Sequence, residues 1–70
     1  MTENTQEIYD IIMNDEWCYE NFKEKNFYAS IHYAELLSNE YGYKIKLNES
    51  ETNDLVFNLE KEWNDYNYID

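Results

Sequence analysis

Seventy residues carrying sixteen Asp and Glu, five Lys, no Arg and a single His have a net charge of −11 and make one domain, 1–70. One cysteine, Cys18, excludes an internal disulfide, and with one histidine it cannot close a zinc site of nitrogen and sulfur ligands. Such charge at low mean hydropathy suits a disordered chain, but disordered segments are poor in aromatics and this one has thirteen, so it is read as folded.

The spacing predicts four helical segments with no repeat and no flexible linker. Asn4 followed by Glu7 fits a capping box, and Ile8, Ile11 and Ile12 then recur at helical spacing to about Met13. Asn14 and Asp15 are N-cap types for a second helix expected to carry Trp17, Cys18 and Phe22 inward and Glu16, Glu20 and Glu24 outward. Asn26 is a candidate cap for a third, whose stripe is Phe27, Ile31, Ala34, Leu37 and Tyr41. Gly42, the one glycine, stands where a helix needs a left-handed C-cap residue, and Tyr43 is placed to fold back on the last turn. Residues 43–47 alternate apolar and polar as a strand does, but with no second strand in view they read as a connector packed on the core. Asn48 or Ser50 opens the last helix, with Leu55, Leu59 and Trp63 on one face and Val56 beside them; residues 65–70 are expected to fray unless their tyrosines dock. The expected fold is all-α, a compact bundle of three to four short helices.

Little in the chain suggests catalysis. His32 and Glu35, one turn apart, could act as a base and its orienter, and Ser30, Ser38 or Cys18 as a nucleophile. No glycine-rich loop cradles phosphate and no arginine stabilises an oxyanion, so no enzyme is expected. Asp10, Asp15 and Glu16, or Glu49, Glu51 and Asp54, lack the ordered acids and central glycine of a calcium loop and read as solvated carboxylates. No cofactor is expected.

The acids are the informative feature. Ten asparagines, eight tyrosines, one glycine and no proline are the marks of an AT-rich genome, but that bias should also raise lysine, and acids outnumber lysines three to one. Residues four apart on a helix stand about 6 Å apart along its axis. Glu16, Glu20 and Glu24 make such a row, Glu3, Glu7 and Asp10 another, and Glu60, Glu62 and Asp65 a looser third. A surface of this kind is repelled by nucleic acid and by anionic membrane and attracted to basic grooves, most of which belong to nucleic-acid-binding proteins. Eight tyrosines exceed what so small a core buries, and tyrosine favours interfaces. The side chains expected to meet a partner are Asp10, Asp15, Glu16, Tyr19, Glu20 and Glu24. The partner expected is a basic nucleic-acid-binding protein, with no direct contact to nucleic acid or membrane. No signal segment or membrane span is read, so the expected location is the cytoplasm.

In size, acidity and layout the chain resembles the small anti-defence proteins of phages and mobile elements, which include anti-CRISPR proteins, antirestriction proteins and DNA mimics. The resemblance covers the whole chain and contains no specific motif. It implies a stoichiometric inhibitor of a CRISPR or restriction nuclease, with acids standing in for phosphates in the cytoplasm of the host. Locally, Ile12-Met13-Asn14-Asp15, the run to Phe22-Lys23, and Ala34-Glu35-Leu36-Leu37-Ser38-Asn39-Glu40-Tyr41-Gly42-Tyr43 are similar to the leader domains of nitrile-hydratase-like peptide precursors. Residues 59–70 hold neither the small-residue cleavage site nor the Cys/Ser/Thr-rich core of such precursors. The alternative expectations are thus a leader-like interaction module and a helical homo-oligomer joined through spare aromatics.

Overall fold

The computed structural model of the protein describes residues 1–68, with side chains as far as Tyr66. The chain is all-α. Helices α1 (Glu3–Asn14), α2 (Glu16–Lys23), α3 (Phe27–Glu40) and α4 (Glu49–Tyr68) form a bundle, with no strand among the described residues. The first three pack most closely on one another and α4 lies across all of them. At 20 residues, or about 30 Å, α4 is longer than the short helices expected.

Thr2, not Asn4, caps α1. Its hydroxyl accepts the Thr5 N–H at 3.2 Å while the buried Thr5 hydroxyl donates to the Thr2 carbonyl at 2.8 Å. The expected Asn4–Glu7 box fails because this pair starts the helix before Asn4. The capping box instead opens α4: Asn48 Oδ1 accepts the Glu51 N–H at 2.8 Å, and Glu51 Oε1 accepts the Asn48 N–H at 3.2 Å. Asp15 joins α1 to α2 alone. Its N–H donates to the Ile11 carbonyl, closing α1, and its side chain accepts the Cys18 N–H, opening α2.

Two helices end in the same way. After α3, Gly42 (φ 91°) donates to the Asn39 carbonyl and Tyr43 to that of Ser38, the paired bonds of a Schellman motif. After α2, Lys25 (φ 64°) donates to the Phe22 carbonyl and Asn26 to that of Asn21, so a lysine holds the left-handed position that suits glycine. Its ammonium lies 4.4 Å from the centroid of the Trp63 ring, a cation–π contact. Asn26 then stands at the N-cap of α3, with no side-chain capping bond.

Residues 43–47 are a connector packed on the core, as expected, but not a fully extended one, since Lys44 (φ 52°) takes a left-handed backbone. Their N–H groups are met by α3: Tyr43 and Lys44 donate to the Ser38 carbonyl, Ile45 to the Ser38 hydroxyl at 3.1 Å, and Leu47 to Glu35 Oε2 at 2.7 Å. Ile45 and Leu47 point inward between exposed Lys44 and Lys46 and join Ile8, Ile12, Cys18, Phe22, Phe27, Ile31, Ala34, Leu55 and Leu59 in one core. Burying one aliphatic side chain of this kind contributes about 1.5–3 kcal/mol. All buried side-chain polar atoms among the described residues have a hydrogen-bond partner.

Three expectations change. Trp17 is half exposed, because α2 turns Cys18 and Phe22, four apart, into the core with Tyr19 packed beside them, and Trp17 lies about 100° round the helix from Cys18 on the opposite side from Tyr19. Tyr41 is exposed because it is the C-cap residue, at which the stripe of α3 stops. Helix α4 runs on to Tyr68 although Tyr66 is exposed; the anchor is Trp63, whose indole N–H donates to the Lys23 carbonyl at 2.9 Å. Residues 69 and 70 of the segment expected to fray lie outside the described residues. No helix among the described residues is long and apolar enough to cross a membrane.

Two tests follow from these anchors. Glu35→Ala leaves the part-buried Leu47 N–H without its acceptor and is expected to cost about 1–3 kcal/mol in urea unfolding, whereas His32→Ala, on an exposed side chain, should change stability by less than about 0.5 kcal/mol. Hydrogen bonds from the Thr2 hydroxyl and then from the Asn48 N–H hold the Glu51 carboxyl below its ordinary value of 4.5. A depressed pKa gives stability that is complete above the unfolded value and is lost as pH falls through the folded one. The gap in melting temperature between the parent and Glu51→Gln should therefore be constant above pH 4.5 and close below it; a constant gap through the acid range contradicts the anchor.

Candidate partner-binding surface

With Cys18 and Phe22 inward, α2 turns Glu16 and Glu20 to solvent, followed by Glu24 at its C-cap. Together with Asp15, Trp17 and Asn21 they line an open groove of about 550 Å³. Four of the six residues expected from the sequence thus share one groove. Asp10 lies in a second recess, of about 240 Å³, with Ile11, Asn14 and Tyr41, and Asp15 lines both. Tyr19 is half-buried, its ring 5.6 Å from that of Phe22, and lines neither.

The acids differ in what holds them. Asp15 Oδ2 accepts the Cys18 N–H at 3.0 Å, a structural duty. Asp10 accepts a hydrogen bond from the Gln6 amide at 3.0 Å. Glu20 pairs with Lys23 at 2.9 Å, a contact that holds the Lys23 ammonium above its ordinary pKa while Lys23 also lies 5.5 Å from the centroid of the Tyr19 ring. Glu16 and Glu24 have no side-chain partner among the described residues. The Lys23–Glu20 contact is the one ion pair among the described residues, in a chain with sixteen acids. Burial, and then the charges of Glu62 and Asp10, raise the Tyr9 pKa, so the crowding of carboxylates reaches a neighbouring phenol.

Trp17 was missed as a surface residue. Its ring lies 4.6 Å from that of Tyr33 on α3 at 48°, a tilted pair at the edge of the acidic groove. The signal available was angular: Cys18 and Phe22, four apart, set the buried side of α2, and Trp17 lies farther round the helix from their midline than Tyr19 does.

The side chains considered for catalysis serve the fold. The buried Ser30 hydroxyl donates to the Cys18 carbonyl at 2.6 Å, the Ser38 hydroxyl holds Ile45, and the Glu35 carboxylate accepts from Leu47 instead of orienting exposed His32. Among the described residues no three of the His, Cys, Asp and Glu side chains gather as a metal site. Burial, then the hydrogen bond and charge of Asp15, push the Cys18 thiol up to about 12. It therefore stays protonated at neutral pH, and thiolate is the reactive form. A chromogenic disulfide reagent at pH 8 should leave the native protein unmodified and titrate one thiol once urea unfolds it; rapid modification of the folded chain contradicts this placement.

No protein-family model matches the chain, and neither a curated protein nor a solved structure shows significant similarity to it.

Proposed function

We propose that this protein is a non-catalytic inhibitor that covers a basic nucleic-acid-binding surface of a host defence nuclease, of the CRISPR or restriction kind, in the cytoplasm where such a nuclease acts. The observation that carries this reading is the groove on α2, where Asp15, Glu16, Glu20 and Glu24 stand together with one lysine to neutralise them. Glu16 to Glu20 is a step of about 6 Å, comparable to the separation of neighbouring phosphates along a nucleic-acid strand, which wind round the axis as they rise along it. A surface of net charge −11 is drawn to a basic groove by long-range steering and kept off nucleic acid itself. Each exposed pair contributes only about 0–1 kcal/mol, so the row supplies approach and register more than affinity.

Tagged protein would be used to retain partners from host lysate, followed by a wash with DNA or RNA and, separately, with high salt. The expected result is retention of a nucleic-acid-binding protein that both washes release, and loss of most of that retention in the Glu16→Gln, Glu20→Gln, Glu24→Gln variant with unchanged helicity. Exposed charge pairs are screened beyond about 10 Å at 0.1 M salt, so the parent complex should weaken steadily as salt rises. A partner that resists both washes, or is held equally by the triple variant, would refute the mimicry.

A further inference from the structure

Helix α3 is apolar on two sides. Its inner side seats Phe27, Ile31 and Ala34 in the core. Its outer side exposes Tyr28, Ala29, His32, Tyr33, Leu36 and Asn39 and ends at Glu40. At 100° per residue these seven fall within one arc of about 140°, wider than the stripe of roughly 100° by which a helix meets a core. Leu36, at the middle of the arc, is 48% exposed, and Tyr28 is 64% exposed. The arc carries one carboxylate and no lysine, although nearly a third of the chain is charged. Trp17, 50% exposed and in tilted contact with Tyr33, continues this surface to the edge of the acidic groove.

Solubility gives no reason for an exposed leucine beside Tyr33 at the centre of an outward helix face, and contiguous exposed apolar surface marks contact sites. The border of the face selects its occupant. Glu16 and Glu20 lie along the Trp17 side and Glu40 at the far end, so whatever seats there is apolar at its centre and basic at its edge. A second copy would bring one carboxylate border and a charge of −11 against another. An anionic bilayer is repelled for the same reason. The backbone of α3 is satisfied within its helix and no strand edge is available among the described residues, so recognition runs through side chains, as when one helix lies along another at 8–10 Å.

We propose that the outer face of α3, together with Trp17, is the apolar anchor of the complex. It takes an amphipathic helix of the partner protein, whose apolar residues seat on Leu36, Tyr33 and Trp17 and whose Lys or Arg side chains reach Glu16 and Glu20. The basic flank of that helix rests on the reading of the acidic groove; the apolar seat does not.

The test is nuclear magnetic resonance titration of the intact chain with a designed peptide of about five helical turns, leucines at i, i+3, i+4 spacing on one face and lysines and arginines on the other. A scrambled peptide of identical composition is the control. The patterned peptide is expected to bind at least about tenfold more tightly than the scrambled one, with shifts concentrated on α3 and the Trp17 indole. Ala29→Gln with Leu36→Gln, both at exposed helical positions, should weaken it by about tenfold or more at unchanged circular dichroism. Equal binding of the two peptides, shifts confined to α2, or an inert double variant would overturn the anchor. So would α3 shifts that grow with protein concentration alone, which would seat a second copy there, or α3 shifts on neutral phosphatidylcholine vesicles, which would seat lipid. If the triple glutamine variant binds the patterned peptide undiminished at every salt concentration, the acidic-groove reading fails and the apolar seat stands.

Discussion

The fold turns on the way α3 captures residues 43–47, the five that follow its closing turn. A connector without a partner strand or helix of its own leaves its N–H groups to be satisfied one by one. Here the Ser38 carbonyl, the Ser38 hydroxyl and the Glu35 carboxylate meet four of the five. That capture fixes the alternation of the connector, sends Ile45 and Leu47 into the core, and delivers Asn48 to the point where its capping box with Glu51 starts α4. Helix α4 then crosses the bundle and returns Trp63 to the last turn of α2, where its indole N–H and ring engage Lys23 and Lys25. The chain is thereby closed on itself without an internal disulfide, in a size range where a core alone gives a thin margin.

The same economy of core shapes the surface. Helix α2 buries two side chains on the core and shows most of the rest, and what it shows is mostly carboxylate and one tryptophan. Helix α3 buries a full stripe yet still presents tyrosines and a leucine outside. An acidic row and a face with one carboxylate among tyrosines and a leucine therefore meet at the Trp17–Tyr33 pair. Charge acts at long range with little directional precision, whereas apolar contact acts at short range with much, and the two adjoin in this molecule.

Periodicity made the helices legible. Ile8 and Ile12, Cys18 and Phe22, Ile31 and Ala34, and Leu55 and Leu59 all lie where spacing placed them. Gly42 announced its left-handed turn, since no other residue type has so plain a preference for it. The equivalent turn at Lys25 was silent, because lysine gives no sign of left-handed backbone. Capping went wrong at α1 because Thr2 and Asn4 are both competent cap types and only the buried Thr5 hydroxyl decides between them. Of the surface, the carboxylate row could be read from four-residue spacing. The exposure of Trp17 and its tilted contact with Tyr33 depend on how two helices cross, which spacing within one helix does not encode.

A molecule with sixteen acids and one internal ion pair among its described residues lacks its own counterions. Mutual repulsion of those charges works against the compact state in dilute buffer. In the proposed complex a basic partner would act as the missing counterion layer, so that binding and folding draw on one electrostatic term and the partner stabilises the fold it recognises. Ionic strength would then have opposite effects on the two states. It would firm the free protein by quieting self-repulsion and loosen the proposed complex by supplying from solution the countercharge that the partner provides.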